Sequence, residues 1–385
     1  MPNSNLTEAQ RAKNDEFYTQ YADIEKEISA YLEFNPDVFR GKTVLLPCDD
    51  PEWSNFTKFF AQNFERLGLK KLISTSYAVD SKTYKDGYQP TLFETSAPYY
   101  DNIKTIKNGK IFTLTHDKTG DHKVNVDDLE WHYLAGDGDF RSVEIKKLRD
   151  EADIIITNPP FSLFREFLAW IMDVRKQFVI IGSMNAINYK EVFPLIKNDK
   201  MWLGNGFHAG NAYFSIPIAR EYAEGVYNSE TGLVKFRNVC WFTNLDHGRR
   251  HQPLPLMTMA ENLKYSKHKE IKGKKSYDRY ENYDAIEVPF TDSIPSDYDG
   301  LIGVPTSFLQ KYSPEQFEIV GMCENEDLYK LKTKVYTTAE CKQAYLAKFG
   351  KKGTYDLNVR GVIAKDGLLE AVYQRVLIKH RKVTK

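Results

Sequence analysis

The segment from Asp153 to Phe161 reads Asp-Ile-Ile-Ile-Thr-Asn-Pro-Pro-Phe, and it gives the plainest indication of the fold. Its apolar first half, up to Thr157, has the composition and length of a buried strand. An Asn-Pro-Pro-aromatic turn follows, and the stretch from Leu163 to Val174 then has the apolar spacing of a helix. Because open α/β sheets bind ligands at the carboxyl ends of their strands, the turn from Asn158 to Phe161 is a candidate ligand site.

The same alternation of strand and helix extends in both directions from this segment. Helices are expected at Asp15 to Leu32, Ser54 to Leu67, and Val143 to Leu148, and strands at Thr43 to Pro47, Lys71 to Tyr77, Phe178 to Gly182, and Val239 to Asn244. This order predicts an α/β fold in which helices cover a parallel sheet. The polar stretch at about 80–132 interrupts the alternation, and we expect an insertion with hairpins there, for example around Lys110 to Leu114.

Composition and charge argue against several classes of protein. The 385 residues include 53 basic and 53 acidic side chains, which disfavours binding to a polyanion through a charged tail. The four cysteines lack the close spacing of a zinc clamp or a disulfide framework, so we expect no metal site and a reducing, cytoplasmic setting. The chain has no run of about 20 apolar residues, so no membrane span is expected.

The tetrapeptide Asn158-Pro159-Pro160-Phe161 can also be a simple rigid turn, but its place between a buried strand and an amphipathic helix favours a catalytic role. In that setting the segment resembles the catalytic motif of amino-group methyltransferases. The aromatic Phe161 is more similar to the adenine-N6 DNA enzymes than to the glutamine-methylating ones. The resemblance implies a Rossmann-like class I core, dependence on S-adenosyl-L-methionine, and a catalytic role for all four residues.

The implied chemistry explains why these residue types are needed. The exocyclic amine of adenine is a weak nucleophile because its lone pair is delocalised into the ring. Two hydrogen-bond acceptors aimed at its N–H bonds would favour a more tetrahedral nitrogen and stabilise the developing charge. The candidate acceptors are the side-chain oxygen of Asn158 and the backbone carbonyl of Pro159. The two prolines fix the turn, and Phe161 is placed to stack on the base.

The segment from Val44 to Phe56 follows the first predicted strand and has no glycine, although the cofactor loop of this superfamily is usually glycine-rich. Its Cys-Asp-Asp-Pro followed by Ser-Asn-Phe is nonetheless similar to the EcoRI-type adenine methyltransferases. The resemblance implies that Asp49 or Asp50 binds the charged amino group of the cofactor. Asp and Ser before a helix are also typical of N-capping, which can coexist with ligand binding. The cofactor residues assigned to this loop are Cys48, Asp49, Asp50, Ser54, Asn55 and Phe56.

Two shorter motifs complete the expected cofactor site. Phe17-Tyr18-Thr19 resembles the N-terminal segment that covers the cofactor in the same enzymes, although aromatic residues before a helix also serve as hydrophobic anchors. Asp139-Phe140 resembles the segment that places an acidic residue beside the adenosine, and a plain Gly/Asp turn explains it nearly as well. The order of all these motifs along the chain supports the resemblance more than any one of them does.

The C-terminal part has a different character. We expect a catalytic domain at 1–247 and a DNA target-recognition region at 248–385. From Lys342 onward the chain has 11 basic and 3 acidic side chains, which a solvated surface explains as well as DNA contact does. Candidate phosphate contacts near tyrosines and histidines are Arg249, Arg250, Lys264, Lys267, Lys274 and Lys275.

The resemblance implies double-stranded DNA as substrate, with the target adenine flipped out of the helix to reach Asn158. It also implies a restriction-modification role with a cognate endonuclease, and work on one strand at a time favours a monomer. Two alternatives stay open: an RNA adenine-N6 methyltransferase, and a catalytically idle nucleic-acid-binding protein. A dinucleotide-dependent oxidoreductase is disfavoured because no Gly-x-Gly-x-x-Gly follows the first strand.

Overall fold

The computed structural model describes residues 17–49, 54–79, 92–207, 211–216 and 224–381. The chain divides into two compact units, residues 1–248 and 249–385. No helix within the described ranges is long and apolar enough to cross a bilayer.

The N-terminal unit contains an eight-stranded mixed sheet among its described residues. In spatial order the strands are β5 (Glu130–Tyr133), β4 (Lys110–Leu114), β3 (Lys71–Ser76), β2 (Thr43–Leu46), β6 (Ile154–Thr157), β7 (Gln177–Ser183), β12 (Val239–Thr243) and β8 (Trp202–Leu203). The four central strands, β3, β2, β6 and β7, are parallel, whereas each strand added at either edge is antiparallel to its neighbour. The central strands β2, β6 and β7 contain apolar runs of the sequence because both of their faces are buried, whereas β3 also buries Ser74, Thr75 and Ser76.

Helices separate the parallel strands along the chain. They are α1 (Tyr21–Phe34), α2 (Asn55–Gln62), α3 (Phe64–Leu67), α4 (Leu92–Thr95), α5 (Asn102–Lys107), α6 (Val143–Glu151), α7 (Phe164–Met172) and α8 (Phe193–Lys197). The chain proceeds outward from β2 to β3, and later places β6 and β7 on the opposite side of β2. The order of connection therefore reverses between β2 and β6, which is where such sheets leave a crevice for ligands. The expected α/β class is confirmed as a mixed α/β fold.

Three details differ from the expectation. The first helix begins at Tyr21, because Tyr18 and Thr19 form a short strand, β1. The helix expected from Ser54 to Leu67 is broken at Asn63, whose side-chain amide donates to the Phe59 carbonyl at 2.8 Å and competes with the helical backbone. The stretch expected as an insertion contributes β4 and β5 to the edge of the main sheet, since β4 pairs directly with β3.

A second, antiparallel sheet lies in the same unit. Its order is β1 (Tyr18–Thr19), β9 (Ala212–Ser215), β11 (Leu233–Phe236) and β10 (Tyr227–Asn228). Phe214 is opposite Val234 and Phe236 is opposite Ala212, so both phenylalanines project from one face of this small sheet. Tyr213 and Lys235 project from the other face, and the Tyr213 side chain is exposed.

The C-terminal unit has its own sheets and helices. A four-stranded sheet has the order β13 (Ala285–Glu287), β14 (Leu301–Pro305), β18 (Arg375–His380) and β15 (Phe317–Met322), and a separate hairpin is formed by β16 (Val362–Lys365) and β17 (Leu368–Ala371). The helices are α9 (Met259–Tyr265) and α10 (Thr338–Phe349). Each begins with a capping box, formed by Thr258 with Glu261 and by Thr337 with Glu340.

The packing of α7 on the main sheet predicts the effect of a small substitution at Gly182 in β7. A Cβ atom added there would lie 2.4 Å from Cε2 of Phe164, the first residue of α7. We expect Gly182→Ala to lower the free energy of unfolding by about 1–3 kcal/mol, as overpacking of a core does. Chemical denaturation measures the change.

The matched control is Gly136→Ala, because a Cβ atom at Gly136 would have no neighbour within 4 Å. We expect this variant to unfold as the unsubstituted protein does. Equal stability of the two variants would contradict the close packing of Phe164 on β7.

Candidate active site

The residues singled out from the sequence meet where the sheet order reverses. β2 and β6 are adjacent and parallel, with Val44 beside Ile154 and Leu45 beside Ile155. The loop at 47–49 after β2 and the turn at 158–161 after β6 therefore lie side by side. The hydroxyl of Thr157, the last residue of β6, joins them directly through a 2.7 Å hydrogen bond to the Pro47 carbonyl.

Among the described residues, the side-chain amide of Asn158 makes one hydrogen bond. Its Nδ2 donates to the Phe17 carbonyl at 2.6 Å. Since a carbonyl can only accept, this bond decides which end of the amide is nitrogen and which is oxygen. The oxygen, Oδ1, is buried and has no hydrogen-bond partner among the described residues. Such an unsatisfied acceptor costs roughly 1–3 kcal/mol, and it fits a donor that a ligand would bring.

The backbone after Asn158 offers a second acceptor. Pro159 is buried, and no residue in the described ranges donates a hydrogen bond to its carbonyl. The Pro160 carbonyl is engaged, because it accepts from the Leu163 amide at 2.9 Å and opens the 3₁₀ turn Phe161–Leu163 that leads into α7. The rings of both prolines restrict φ, so the direction of the Pro159 carbonyl is set by the turn itself.

A network of hydrogen bonds converges on Asp49 beneath this turn. One carboxylate oxygen accepts from the Ser54 hydroxyl at 2.7 Å. The other lies 2.6 Å from the Thr157 hydroxyl, whose single proton it shares with the Pro47 carbonyl. The Asp49 backbone carbonyl accepts from the hydroxyls of Thr57 and Ser74. Asp49 is buried, and its carboxylate thus braces β6 and α2.

The cofactor-type loop makes its turn without glycine. Cys48 has φ of +68°, a left-handed conformation that costs a non-glycine residue about 1–2 kcal/mol. Its amide donates to the Thr75 hydroxyl at 3.4 Å, and its thiol donates to the Tyr77 hydroxyl at 3.3 Å. Burial raises the pKa of Tyr77 well above its usual value, and the neighbouring Cys48 and Asp139 raise it further. Tyr77 therefore remains a neutral hydroxyl that links this loop to the end of β3.

The N-terminal strand β1 lies across both loops. Asn158 donates to the Phe17 carbonyl, and Asn55 donates through Nδ2 to the Thr19 carbonyl at 2.7 Å. Carbonyls two residues apart point the same way from an extended chain, which is why two asparagines can hold one strand. The other edge of β1 pairs with β9, where Tyr18 is opposite Ser215. The buried Thr19 hydroxyl oxygen has no hydrogen-bond partner among the described residues.

Phe161 belongs to an aromatic cluster. Its ring is stacked with that of Phe17 at 6.2 Å between centroids, and the rings of Phe236 and Phe214 meet it edge-on at 6.1 and 6.4 Å. The small sheet supplies Phe214 and Phe236, so it supports the catalytic-type turn from one side. Phe161 keeps partial exposure to solvent. This arrangement holds its ring in one orientation while leaving some of its surface available.

Two of the remaining cofactor candidates, Phe56 and Phe140, are buried in the core. Phe56 is buried against Trp241, with ring centroids 6.0 Å apart, and Phe140 is buried against Phe167. Their side chains contribute packing next to the site. Ser54 also caps α2 by accepting from the Phe56 amide at 3.1 Å, so the capping interpretation holds beside the cofactor one. Asp50 lies outside the described residues.

Asp139 forms a two-point ion pair with Arg141. The guanidinium donates to both carboxylate oxygens, at 2.9 and 2.6 Å, and a further contact reaches Glu166 at 3.3 Å. The hydrogen bonds that Arg141 donates to Asp139 are the main cause of the raised pKa of Arg141. Gly138 has φ of +86°, and a Cβ atom there would lie 2.4 Å from the Ser76 carbonyl, so the segment is pressed against the end of β3. Asp139 thereby lies near the same edge of the sheet as Tyr77.

The basic residues proposed for phosphate contact lie in the C-terminal unit and differ in availability. Lys267 is paired with Asp292 at 2.8 Å, and Lys274 with Asp278 at 2.6 Å. Lys264 lies 4.9 Å from the ring centroid of Tyr265, with both residues exposed. Arg250 is buried. The last two members of the set are Lys275, which is exposed, and Arg249, which is half-buried.

Sequence reasoning missed several residues that build this site. Thr157 joins the two loops, Tyr77 joins Cys48 to the end of β3, and Phe214 and Phe236 complete the aromatic cluster. A fully buried polar residue that ends an apolar strand is a usable signal for Thr157. The two phenylalanines carry no comparable signal, because only the pairing of β1 with β9 brings them to Phe161.

The family model and the known proteins that match this chain are methyltransferases. The family model described as adenine-specific methyltransferase EcoRI matches residues 5–381. The Type II methyltransferase M.EcoRI of Escherichia coli is 42% identical over 84% of this chain and 91% of that protein. The Type II methyltransferase M.MpnI of Mycoplasma pneumoniae is 32% identical over 85% of this chain and 89% of that protein. No solved structure matches the chain.

M.MgeORF184P of Mycoplasma genitalium, also named a Type II methyltransferase, is 33% identical over 82% of this chain and 86% of that protein. The match to the family model spans the loop at Asp49, the turn at Asn158 and nearly all of the C-terminal unit. The chain belongs to the EcoRI family of adenine-specific methyltransferases.

Proposed function

We propose that the protein is a site-specific DNA methyltransferase that transfers a methyl group from S-adenosyl-L-methionine to the N6 amino group of adenine in double-stranded DNA. The observation that carries this proposal is the buried Oδ1 of Asn158, which has no partner among the described residues while its amide nitrogen is held by Phe17. The Type II names of the relatives support a role in restriction-modification for this chain as well.

The turn at Asn158 is suited to activating an amine. Asn158 Oδ1 and the Pro159 carbonyl are two acceptors without described partners on one short, proline-restricted segment. An amino group that donates one N–H bond to each acceptor becomes more tetrahedral, and the positive charge that develops on it is stabilised. Phe161, which is held by three aromatic neighbours, stacks on the ring that carries the amine.

The residues at the sheet edge fit a sulfonium methyl donor. When bound, S-adenosyl-L-methionine supplies an electrophilic methyl group that needs no metal. The buried Asp49 carboxylate provides negative charge for the donor's ammonium group, and the left-handed Cys48 lets the backbone turn closely there. Phe17, Tyr18 and Thr19 would close over the donor, and Asp139 would lie beside its adenosine. The buried hydroxyl oxygen of Thr19 in β1, which has no partner among the described residues, is a further hydrogen-bond acceptor.

We extend the proposal to the roles of the two units. The strand order with a reversal between β2 and β6 supports a Rossmann-like class I core in the N-terminal unit. The C-terminal unit would be the DNA target-recognition region, with the basic residues from Arg249 to Lys275 as phosphate contacts. The target adenine would be flipped out of the duplex, since its amine is otherwise inaccessible. One chain carries every motif of the site, which supports a monomer. The scattered cysteines support a cytoplasmic setting, and the Type II names of the relatives support protection of DNA from a cognate endonuclease.

A labelling experiment tests the reaction. The protein is incubated with labelled S-adenosyl-L-methionine and unmethylated duplex DNA, and the DNA is then digested to nucleosides. We expect the label in N6-methyladenine. Label that appears only in RNA or only in protein would contradict the proposed substrate, and failure to bind the donor would contradict the proposed reaction.

Loss of the Asn158 acceptor should mainly slow the reaction. We expect Asn158→Ala to lower kcat by about 100- to 1,000-fold, the usual effect of removing one polar group that stabilises a transition state. DNA affinity, measured by fluorescence anisotropy, should change much less. Equal losses of turnover and of DNA binding would indicate a structural role.

Asn55→Ala is the matched control, because it removes the other amide that holds β1 but leaves the Asn158 acceptor in place. We expect the KM for the methyl donor to rise while kcat stays within about tenfold of the unsubstituted enzyme. A loss of kcat as large as that of Asn158→Ala would assign the effect to the strand and not to the acceptor.

The hydroxyl of Thr157 is predicted to position the cofactor loop. Thr157→Val keeps the shape of the side chain but removes the bonds to Pro47 and Asp49, which leaves a buried carboxylate oxygen short of a donor. We expect a loss of about 1–3 kcal/mol in unfolding free energy and a higher KM for the methyl donor. Thr157→Ser, which retains the hydroxyl, should restore the KM. A Ser variant as impaired as the Val variant would exclude the hydroxyl as the cause.

A further inference from the structure

A cavity in the C-terminal unit has no part in the site described above. It has a volume of about 790 Å³. One wall is formed by the segment 269–278, and the other by the β16–β17 hairpin and the residues that flank it. The floor includes the ion pair between Arg375 and Glu287, in which both side chains are buried.

The polar groups of the floor satisfy one another. Nε of Arg375 donates to both carboxylate oxygens of Glu287, at 3.0 Å to Oε1 and 3.1 Å to Oε2. Nη2 of Arg375 donates to Oε1 at 2.6 Å. Tyr280 donates its hydroxyl to the same carboxylate. A site for a small polar ligand usually aims unsatisfied groups at the ligand from within the pocket. The floor of this cavity therefore does not favour a small polar ligand.

Unlike the charged side chains of the floor, several charged side chains at the rim of the cavity have no ion-pair partner among the described residues. Lys269, Arg360 and Lys365 line the cavity and are exposed, and their side chains form no ion pair or hydrogen bond with any described residue. The acidic residues of the lining are mostly engaged, Asp278 by Lys274 and Glu370 by Lys348. Glu270 is the one lining carboxylate without a described partner. The uncommitted charge of the rim is thus positive.

Backbone interactions fix the positions of two of these residues, Arg360 and Lys365. The buried Asn282 donates to the Arg360 carbonyl at 2.8 Å and accepts from the Val362 amide at 2.9 Å, so Arg360 is fixed at its backbone while its guanidinium stays free. Lys365 ends β16 next to a two-residue turn, Asp366-Gly367, in which both residues have positive φ. This is the turn that matches the twist of a tight hairpin, and it presents Lys365 from a rigid element.

An exposed aromatic side chain completes the rim. Tyr373 lines the cavity two residues after the end of β17 and is 79% exposed, the most exposed of the large hydrophobic side chains described. Exposed tyrosine beside arginine and lysine is typical of surfaces that bind nucleic acid, because the ring stacks on bases while the cations contact phosphates.

We infer that this cavity binds the sugar-phosphate backbone of the DNA substrate, with Lys269, Arg360 and Lys365 contacting phosphates and Tyr373 packing against an adjoining nucleotide. The inference rests on the proposed function and deepens it, since it names where the C-terminal unit contacts DNA. Lys267 and Lys274, which were expected from the sequence to contact phosphates, are ion-paired with aspartates. The inference replaces them with cations that have no described partner.

The test is the salt dependence of DNA binding by the double variant Arg360→Ala/Lys365→Ala in the full chain. Affinity for a fluorescent, unmethylated duplex is measured by anisotropy between 50 and 200 mM salt. We expect binding about tenfold weaker and a plot of log K against log salt that is shallower by about 1.8, since each phosphate contact contributes about 0.9. Tyr373→Ala should also weaken binding, whereas Tyr373→Phe, which keeps the ring, should not.

The matched control is Lys311→Ala/Lys379→Ala, which removes two exposed lysines of the same unit that do not line the cavity. The control should keep the affinity and the slope of the unsubstituted protein. An unchanged slope in the Arg360/Lys365 variant, or an equal change in the control, would overturn the inference. Methylation of DNA at saturating concentration by the unsubstituted protein tests the proposed function separately, so the two failures are distinguishable.

Discussion

The hydrogen bond from Asn158 to the Phe17 carbonyl determines which hydrogen-bonding group the turn at 158–161 can offer a ligand. A primary amide carries a donor and an acceptor at opposite ends, and binding one of them to the protein fixes the direction of the other. That bond exists only because β1 lies across the turn, and β1 lies there because it pairs with β9 and is held by Asn55. The orientation of one oxygen thus depends on segments that are more than 190 residues apart, as Tyr18 and Ser215 are.

The second constraint is the buried carboxylate of Asp49. A carboxylate in a poorly hydrated interior is stable only when its oxygens receive hydrogen bonds, and here the hydroxyls of Ser54 and Thr157 supply them. Ser54 caps α2 and Thr157 ends β6, so the hydrogen bonds to one charge also fix the spacing between the loop after β2 and the turn after β6. The same residue can therefore hold the scaffold together and present negative charge to a ligand.

The central strands β2, β6 and β7 could be predicted from sequence because they contain short apolar runs with both faces buried. The turn at Asn158 could be placed for the same reason, since it follows one of those runs. β1 could not, because two residues show no periodicity and their partner strand is remote in sequence. The break at Asn63 depends on a side chain competing for a helical carbonyl, which composition does not reveal.

Cationic residues show a different limit of sequence reasoning. Lys267 and Lys274 look the same in sequence as Lys269 and Lys365, yet the first two are paired with aspartates and the last two are not. Asp278 is close to Lys274 in sequence, but Asp292 reaches Lys267 only through the fold. Whether a lysine has an ion-pair partner is therefore a property of tertiary structure, and charge counts along the chain cannot supply it.

Cys48 shows that the cofactor-type loop requires a positive φ at this position and that a residue other than glycine can adopt it. The strain of its left-handed backbone is offset locally by bonds from its amide to Thr75 and from its thiol to Tyr77. Homology searches keyed to glycine at this place will pass over chains that make the same turn with another residue. A search pattern written in backbone conformation would recover them, and it would group enzymes by the geometry they share and not by the letter that most often produces it.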